Sequence, residues 1–338
     1  MKNHENQIQV NELSESTKVS MKTRIITAIV GLAIVVPLFV LGDWFIFALV
    51  LAATGIGMYE VIRCGKGNYS ILLYILTIVI GLLIVSWPLI QNLISNHSLV
   101  SGHVFDDYSS IVLSLPLLFV SICLLFLSVI MHKDFTVKDG TYIITMVIIV
   151  ALGMESLLFV RYFPSVIADP SIHNSWFNSF DNFASCSFAT YGLIGTFFTD
   201  VGAYFIGVFF GKRKLNERIS PKKTVEGFYG GIVISTIFSA AFAFILAAVG
   251  HPILPGVFDL AHWYNIVVMS FLMPFFATLG DFVFSAVKRV YEIKDFGNIL
   301  PGHGGILDRV DSLVFVFTAL ALYTLLFYGI SSGAGLLI

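Results

Sequence analysis

Charge is scarce in this chain. Asp, Glu, Lys and Arg make up 12% of 338 residues against 57% apolar residues, about half the charged share of an ordinary soluble domain. Cysteine is scarce too. Cys64, Cys123 and Cys186 form no CxxC pair and fall in three different regions, which argues against a disulfide framework or a structural zinc site. There is no heptad, internal repeat or low-complexity tract. The first twenty residues lack the apolar core of a secretion signal and read as a disordered cytoplasmic tail. Met21, followed by Lys22-Thr23-Arg24, offers a second start. The formal net charge of -2 says little, because the useful quantity is where the charges lie; no nucleic-acid partner is expected.

What is present is a series of apolar stretches near the length that crosses a bilayer. They predict an all-α, polytopic integral membrane protein of about nine transmembrane helices, near 24–42, 44–63, 69–90, 111–131, 140–161, 188–210, 227–250, 264–288 and 308–330. The sixth and eighth are interrupted by Asp200 and Asp281. A central Asp costs about 2.5 to 3.5 kcal/mol on insertion scales, which helices this rich in Phe, Leu, Ile and Val absorb when the carboxylate faces protein or water.

With a cytoplasmic amino terminus, every Lys and Arg except Arg161 falls on the inner side, and the outer loops 91–110, 164–187 and 251–263 contain none. An odd number of spans puts the carboxyl terminus outside. The chain then divides into a tail at 1–20, five helices and an outer loop at 164–187 within 21–187, and four helices within 188–338. That last part carries two cytoplasmic loops, 211–227 and 288–308, and the multi-pass chain belongs in the cell membrane.

Those two loops exceed what topology alone requires. The first, GKRKLNERISPKKTVEG, has six basic residues against two Glu. A positive-inside stop signal would account for the charge. It would not account for Ser220-Pro221-Lys222-Lys223-Thr224, which places a turn, two ammonium groups and hydroxyls just before a helix start, as a phosphate requires. The second loop contains Pro301-Gly302-His303-Gly304-Gly305, where glycine lets the backbone approach a ligand closely. His303 is read as a phosphate contact, an acid or a shaper of the turn.

Asp308 and Asp311 share one face of the next helix, while Asp281 lies about 10 Å below the cytoplasmic end of its own. One account pairs Asp281 with Arg309 and leaves Asp308 as a helix cap. The other has Asp281, Asp308 and Asp311 ligate Mg²⁺ through oxygen alone, with substrate phosphates and water completing the shell. The second account explains the carboxylates, glycines and basic residues together. Asp200 either lines the same cavity or serves structure. His97, His103, His173, His251 and His262 fall in outer loops and read as solvated, and Glu155 is expected to pair with Arg161 or to cap into water.

Ser285, Lys288, Arg289, Lys294, Asp295, Gly297, Leu300, Pro301, His303, Gly304, Gly305, Asp308, Arg309 and Asp311 together form a run that resembles the signature of the phosphatidate cytidylyltransferases, or CDP-diacylglycerol synthases. The segment Thr199-Asp200-Val201-Gly202-Ala203-Tyr204, with Gly207, Gly211-Lys212 and Leu279-Gly280-Asp281, is similar to that family as well. Val201 and Val225 depart from the expected Thr and Trp.

The resemblance implies transfer of cytidylate from CTP to phosphatidate, giving CDP-diacylglycerol and pyrophosphate, dependent on Mg²⁺ with room for a second monovalent or divalent cation, in a membrane-embedded homodimer. By the same likeness Asp281, Asp308 and Asp311 are metal ligands, and Lys288 and Arg309 act beside them in catalysis. Ser220, Lys222, Lys223, Thr224, Arg289, Lys294, His303, Gly304, Gly305 and Asp200 are expected to bind substrate. An enzyme acting on another lipid phosphate would use a similar cradle. An ion-coupled transporter would have a use for Asp200 and Asp281 but none for two phosphate-type loops on one face.

Overall fold

The computed structural model describes residues 15–65, 67, 69–90, 115–131, 135–168 and 179–331. The first fourteen residues, the outer loop expected at 91–110 and the middle of the one at 164–187 lie outside that set. Among the described residues are nine helices of fifteen residues or more: α1 Glu15–Leu41, α2 Asp43–Cys64, α3 Ile71–Val85, α4 Leu115–Met131, α5 Val137–Ala168, α6 Ser179–Phe210, α7 Val225–Ala248, α8 Trp263–Val290 and α9 Leu307–Ser331.

Seven of them are long and apolar enough to cross a membrane, while Ile71–Val85 and Phe119–Ile130 form shorter apolar helices. The chain is therefore a polytopic membrane protein. The physical limit on α3 is length, since fifteen residues rise about 22 Å against a hydrocarbon core of about 30 Å.

Three expectations are corrected. The loop at 211–227, expected to turn at Ser220–Thr224 in an all-α chain, instead forms a hairpin: β1 (Lys214–Asn216) and β2 (Ser220–Thr224) pair antiparallel, with Lys214 opposite Thr224 and Asn216 opposite Ser220. Asn216 closes the turn by accepting a hydrogen bond from Ile219 N at 3.2 Å. Helix α1 begins at Glu15, inside the expected tail, and α6 begins at Ser179, nine residues before its apolar run, because Ser185 and Ser187 are buried and extend the packed face.

Helix α5 is the central post. Its apolar window is 72% buried, whereas that of α1 has none of its residues buried. Gly153 lets α9 approach, since a side chain there would collide with Val314. Helices α6 and α7 pack more closely still. A Cβ at Gly231 would stand 2.8 Å from the Thr199 carbonyl oxygen, and one at Gly227 would stand 2.6 Å from that of Ala203. Small residues permit such backbone approach where no hydrophobic effect drives helices together.

Polar residues on the side expected to face outward are also tied down. Arg161, expected beside Glu155, instead donates from Nε to the Phe39 carbonyl at 3.2 Å and lies over the Phe39 ring. The last carbonyls of α1 have no helical partner, which makes them its acceptors. Glu155 is buried without a hydrogen bond to either carboxylate oxygen among the described residues. His262 is not simply solvated, because its Nδ1 lies 2.9 Å from Asp259 Oδ1. Burial alone would push the Asp259 carboxyl up, but hydrogen bonds from Gly256 N, His262 N and the His262 ring outweigh it and hold the group below the usual carboxylate range.

Gly231→Val tests the α6–α7 contact. We expect a loss of about 1 to 3 kcal/mol, the usual cost of overpacking, seen as a lower midpoint of thermal unfolding in detergent. An unchanged midpoint would mean that the two helices separate freely.

Candidate active site

Between α8 and α9 the chain turns through Pro301–Gly305. Leu300 N donates to Gly304 O at 3.0 Å and Gly304 N returns to Leu300 O at 3.1 Å, closing a tight loop. Gly302 and Gly304 hold φ of 75° and 88°, a region costly for any residue with a Cβ. A side chain at Gly304 would also meet Asp308 Oδ2 at 3.0 Å. Thr27 of α1 donates to Pro301 O at 3.0 Å, so the amino-terminal helix touches this turn.

Asp308 holds the loop in its folded path. Its Oδ2 accepts from Phe296 N at 2.8 Å and Gly305 N at 3.0 Å, and its Oδ1 accepts from Lys288 Nζ at 2.9 Å. The Lys288 ammonium lies over the Phe296 ring, 5.6 Å from its centroid. Asp308 therefore serves neither as a simple cap nor, in this arrangement, as an open ligand, because both of its oxygens are engaged.

The residue missed by sequence reasoning is Glu60, on α2. It is 1% exposed, and its carboxylate accepts from Ile306 N at 3.0 Å and Leu307 N at 2.9 Å, the first amides of α9. A carboxylate at a helix amino terminus satisfies orphan N–H groups and meets the positive end of the helix dipole. Gly297 and Gly305 make room for it: a Cβ at either would stand 2.9 Å or 2.6 Å from the Glu60 carboxyl carbon. The glycines of the signature were legible as close-approach positions, but nothing in the chain marked Glu60 as what approaches them.

A second, more exposed group of charges gathers around Asp281. Asp281 forms an ion pair with Lys223, whose ammonium also lies 5.4 Å from the centroid of the Phe282 ring. The pairing of Asp281 with Arg309 weighed above is not found. Asp200 lies in the electrostatic field of Lys223, Asp281 and Arg309, and Asp311 in that of Asp281, Lys288 and Asp200. A Cβ at Gly280 would stand 2.5 Å from the Asp311 carbonyl oxygen, so α8 and α9 nearly touch beside these two carboxylates. Asp311 Oδ1 accepts from Ser312 N at 2.7 Å.

A cavity of about 370 Å³ opens between α6, α7 and the hairpin, lined by Asp200, Tyr204, Lys222, Lys223, Thr224 and Thr278 among others. Thr224 caps α7, its Oγ1 accepting from Gly227 N at 3.1 Å. Arg289, expected at substrate, donates to Ile219 O at 3.1 Å and ties the hairpin to the end of α8. Ser220 pairs with Asn216 and does not line the cavity, and Lys294 is exposed. His303 Nδ1 is buried and has no hydrogen-bond partner among the described residues.

Among the described residues no three His, Cys, Asp or Glu side chains form a ready metal cluster. The Asp281 and Asp311 carboxylates nevertheless suit Mg²⁺ chemically, because that ion takes hard oxygen donors and is commonly held by one or two carboxylates with substrate phosphates and water. The Lys223 ammonium already stands at Asp281 as a cation.

Fold and family together define a polytopic membrane enzyme. The chain belongs to the cytidylyltransferase family, whose model matches residues 22–327. It is 32% identical over 309 residues to the phosphatidate cytidylyltransferase of Bacillus subtilis strain 168, covering 91% of this chain and 99% of that one. It is 30% identical over 302 residues to the phosphatidate cytidylyltransferase of Staphylococcus haemolyticus strain JCSC1435, covering 89% and 97%. The likeness read from the signature is borne out.

Glu60→Gln replaces one accepting oxygen with a donor facing a backbone N–H. We expect a folded protein whose turnover falls by about 10- to 100-fold, because a displacement near 1 Å is enough to cost that much. Separate measurement of kcat and KM is the check, and unchanged kcat would confine Glu60 to holding the fold.

Proposed function

We propose that the protein is a phosphatidate cytidylyltransferase, joining CTP and phosphatidate to give CDP-diacylglycerol and pyrophosphate. The observation carrying this reading is the convergence of Lys223, Asp281, Asp311 and Asp200 beside a cavity edged by the Lys222-Lys223-Thr224 strand. Named relatives at 30% and 32% identity over most of the chain supply the substrates.

In the proposed reaction a phosphate oxygen of phosphatidate bonds to the α-phosphorus of CTP, and the bond from that phosphorus to the β-phosphate oxygen breaks. The second pKa of a phosphomonoester is about 6, so the attacking oxygen is largely ionised at neutral pH and no strong base is required. The obstacle is bringing two polyanions together, which requires fixed cations and alignment. Lys223 and Lys222 offer ammonium groups at the cavity, while Lys288 and Arg309 supply positive charge at the foot of α9. Mg²⁺, when bound by Asp281 and Asp311, supplies further charge neutralisation to the triphosphate and the departing pyrophosphate. Asp308 would hold the ion as well only if its Oδ1 released the Lys288 ammonium. A second cation is part of the proposal on family likeness, as is assembly into a homodimer.

We further propose nine spans, with the short α3 completed by the helical residues 87–90 and α4 counted as a short span, a cytoplasmic amino terminus, an outer carboxyl terminus and a site at the cytoplasmic face of the cell membrane. The placing of all Lys and Arg but Arg161 on one side supports this orientation. So does the Arg289 bond to Ile219, which joins both phosphate-type loops at one end. In a cysteine-free background, Lys222→Cys is expected to react with an impermeant maleimide only when the inner face is opened. Labelling of intact cells would reverse the orientation.

Purified protein supplied with α-labelled CTP, phosphatidate and Mg²⁺ is expected to move label into lipid, and omission of any one should abolish it. Asp311→Asn should lower turnover by at least about 100-fold. Near-normal turnover would take Asp311 out of the site. Label passing to another lipid phosphate in preference would replace phosphatidate as the substrate.

A further inference from the structure

A second cavity, of about 360 Å³, lies between α5, α8 and α9 on the other side of the Gly280–Asp311 contact. Its wall on α9 runs along Val314, Phe315, Thr318, Ala319, Leu322 and Leu326. Twelve residues of helix rise roughly 18 Å, and one leaflet of hydrocarbon is about 15 Å deep, half the core thickness. The cavity is thus an elongated channel of one leaflet's depth.

Its lining offers no polar attraction. The Thr318 hydroxyl is spent on Val314 O at 2.7 Å, and the Tyr323 hydroxyl on Asn265 Oδ1 at 2.8 Å. Leu322 and Leu326 are exposed at 54% and 47%, so the channel opens sideways to lipid. At its other end stands Phe315, whose ring carbon Cδ2 lies 2.9 Å from where a Gly280 side chain would project, beside the Asp311 carbonyl. An apolar groove that begins one helical turn from the carboxylates and follows α9 for a leaflet's depth has the shape of a chain attached to a phosphate.

We propose that this groove seats one acyl chain of the phosphatidate and thereby aims its phosphate at the site between Asp281 and Asp311. The proposal rests on the function argued above. Because the displaced chain would otherwise lie in equally apolar lipid, the groove contributes alignment more than affinity. Chain length, and not the headgroup alone, then governs turnover.

The test compares Ala319→Trp with the unaltered enzyme on dioleoyl and dihexanoyl phosphatidate, with label from CTP followed into product. Blocking the groove is expected to lower kcat/KM for the dioleoyl lipid by at least about tenfold, while the dihexanoyl lipid and the KM for CTP change little. Activity on the short lipid shows that the variant is folded; should it be inactive on both, Ile149→Trp in the opposite wall asks the same question. Equal loss on both lipids in each variant, or no loss on either, overturns the proposal, and equal loss together with altered oligomeric state assigns the groove to a second copy. An unaltered enzyme inactive on both lipids sinks the proposed function instead and takes the groove's role with it.

Discussion

Two buried carboxylates, Glu60 and Asp308, accept four backbone N–H groups from one stretch of chain, and the geometry of the site depends on that grip. Phe296 and Gly305 donate to Asp308, and Ile306 and Leu307 donate to Glu60. A turn this rich in glycine has large conformational entropy to lose and few side chains with which to offset it. Each buried amide left without an acceptor would cost about 1 to 3 kcal/mol. The two carboxylates therefore set where α9 starts, and with it where Asp311 points. Because Glu60 comes from α2 and Thr27 of α1 bonds the same turn, the amino-terminal half of the chain takes part in shaping a site whose other charged residues lie beyond Thr199.

The same constraint explains the distribution of positive charge. Carboxylates under the surface of an apolar bundle need cations close by, since burying an unpaired charge costs several kcal/mol. Lys288 answers Asp308 and Lys223 answers Asp281. On the proposed reading these ammonium groups sit where the substrate phosphates arrive, and both lie over aromatic rings. The ion pairs hold the resting site together with charges that a polyanionic substrate can redistribute.

Much of this was legible in the chain. Long apolar runs marked the helices even where Asp200 and Asp281 interrupted them, because a single acid does not cancel twenty apolar neighbours. The glycines at 297, 302, 304 and 305 announced close approach, and the basic loop announced phosphate. What stayed hidden needed a partner distant in sequence. Glu60 lies 246 residues from the amide it accepts, inside a span that reads as ordinary membrane helix. The β1–β2 hairpin was obscured by charge, since its short strands lack alternating apolar residues. Arg161 and Glu155, six positions apart on one helix, invited a pairing. The last carbonyls of α1, at Phe39 and Val40, serve as the guanidinium's acceptors instead.

The arrangement also accounts for a site with abundant cations and no obvious base. His303 is the one histidine in the signature, yet its Nδ1 faces inward at a turn whose backbone already closes on itself. An enzyme that had to deprotonate an alcohol would need such a group at the reacting atom. A phosphate monoester arrives already ionised, so the work left to the protein is to hold two polyanions in line and receive the charge of the leaving pyrophosphate. The cavity bordered by Lys222 and Lys223 lies between α6, α7 and the hairpin, and the apolar channel begins at Phe315 between α5, α8 and α9. On the proposed reading, the water-soluble substrate and the lipid-anchored one approach Asp281 and Asp311 from these two separate cavities.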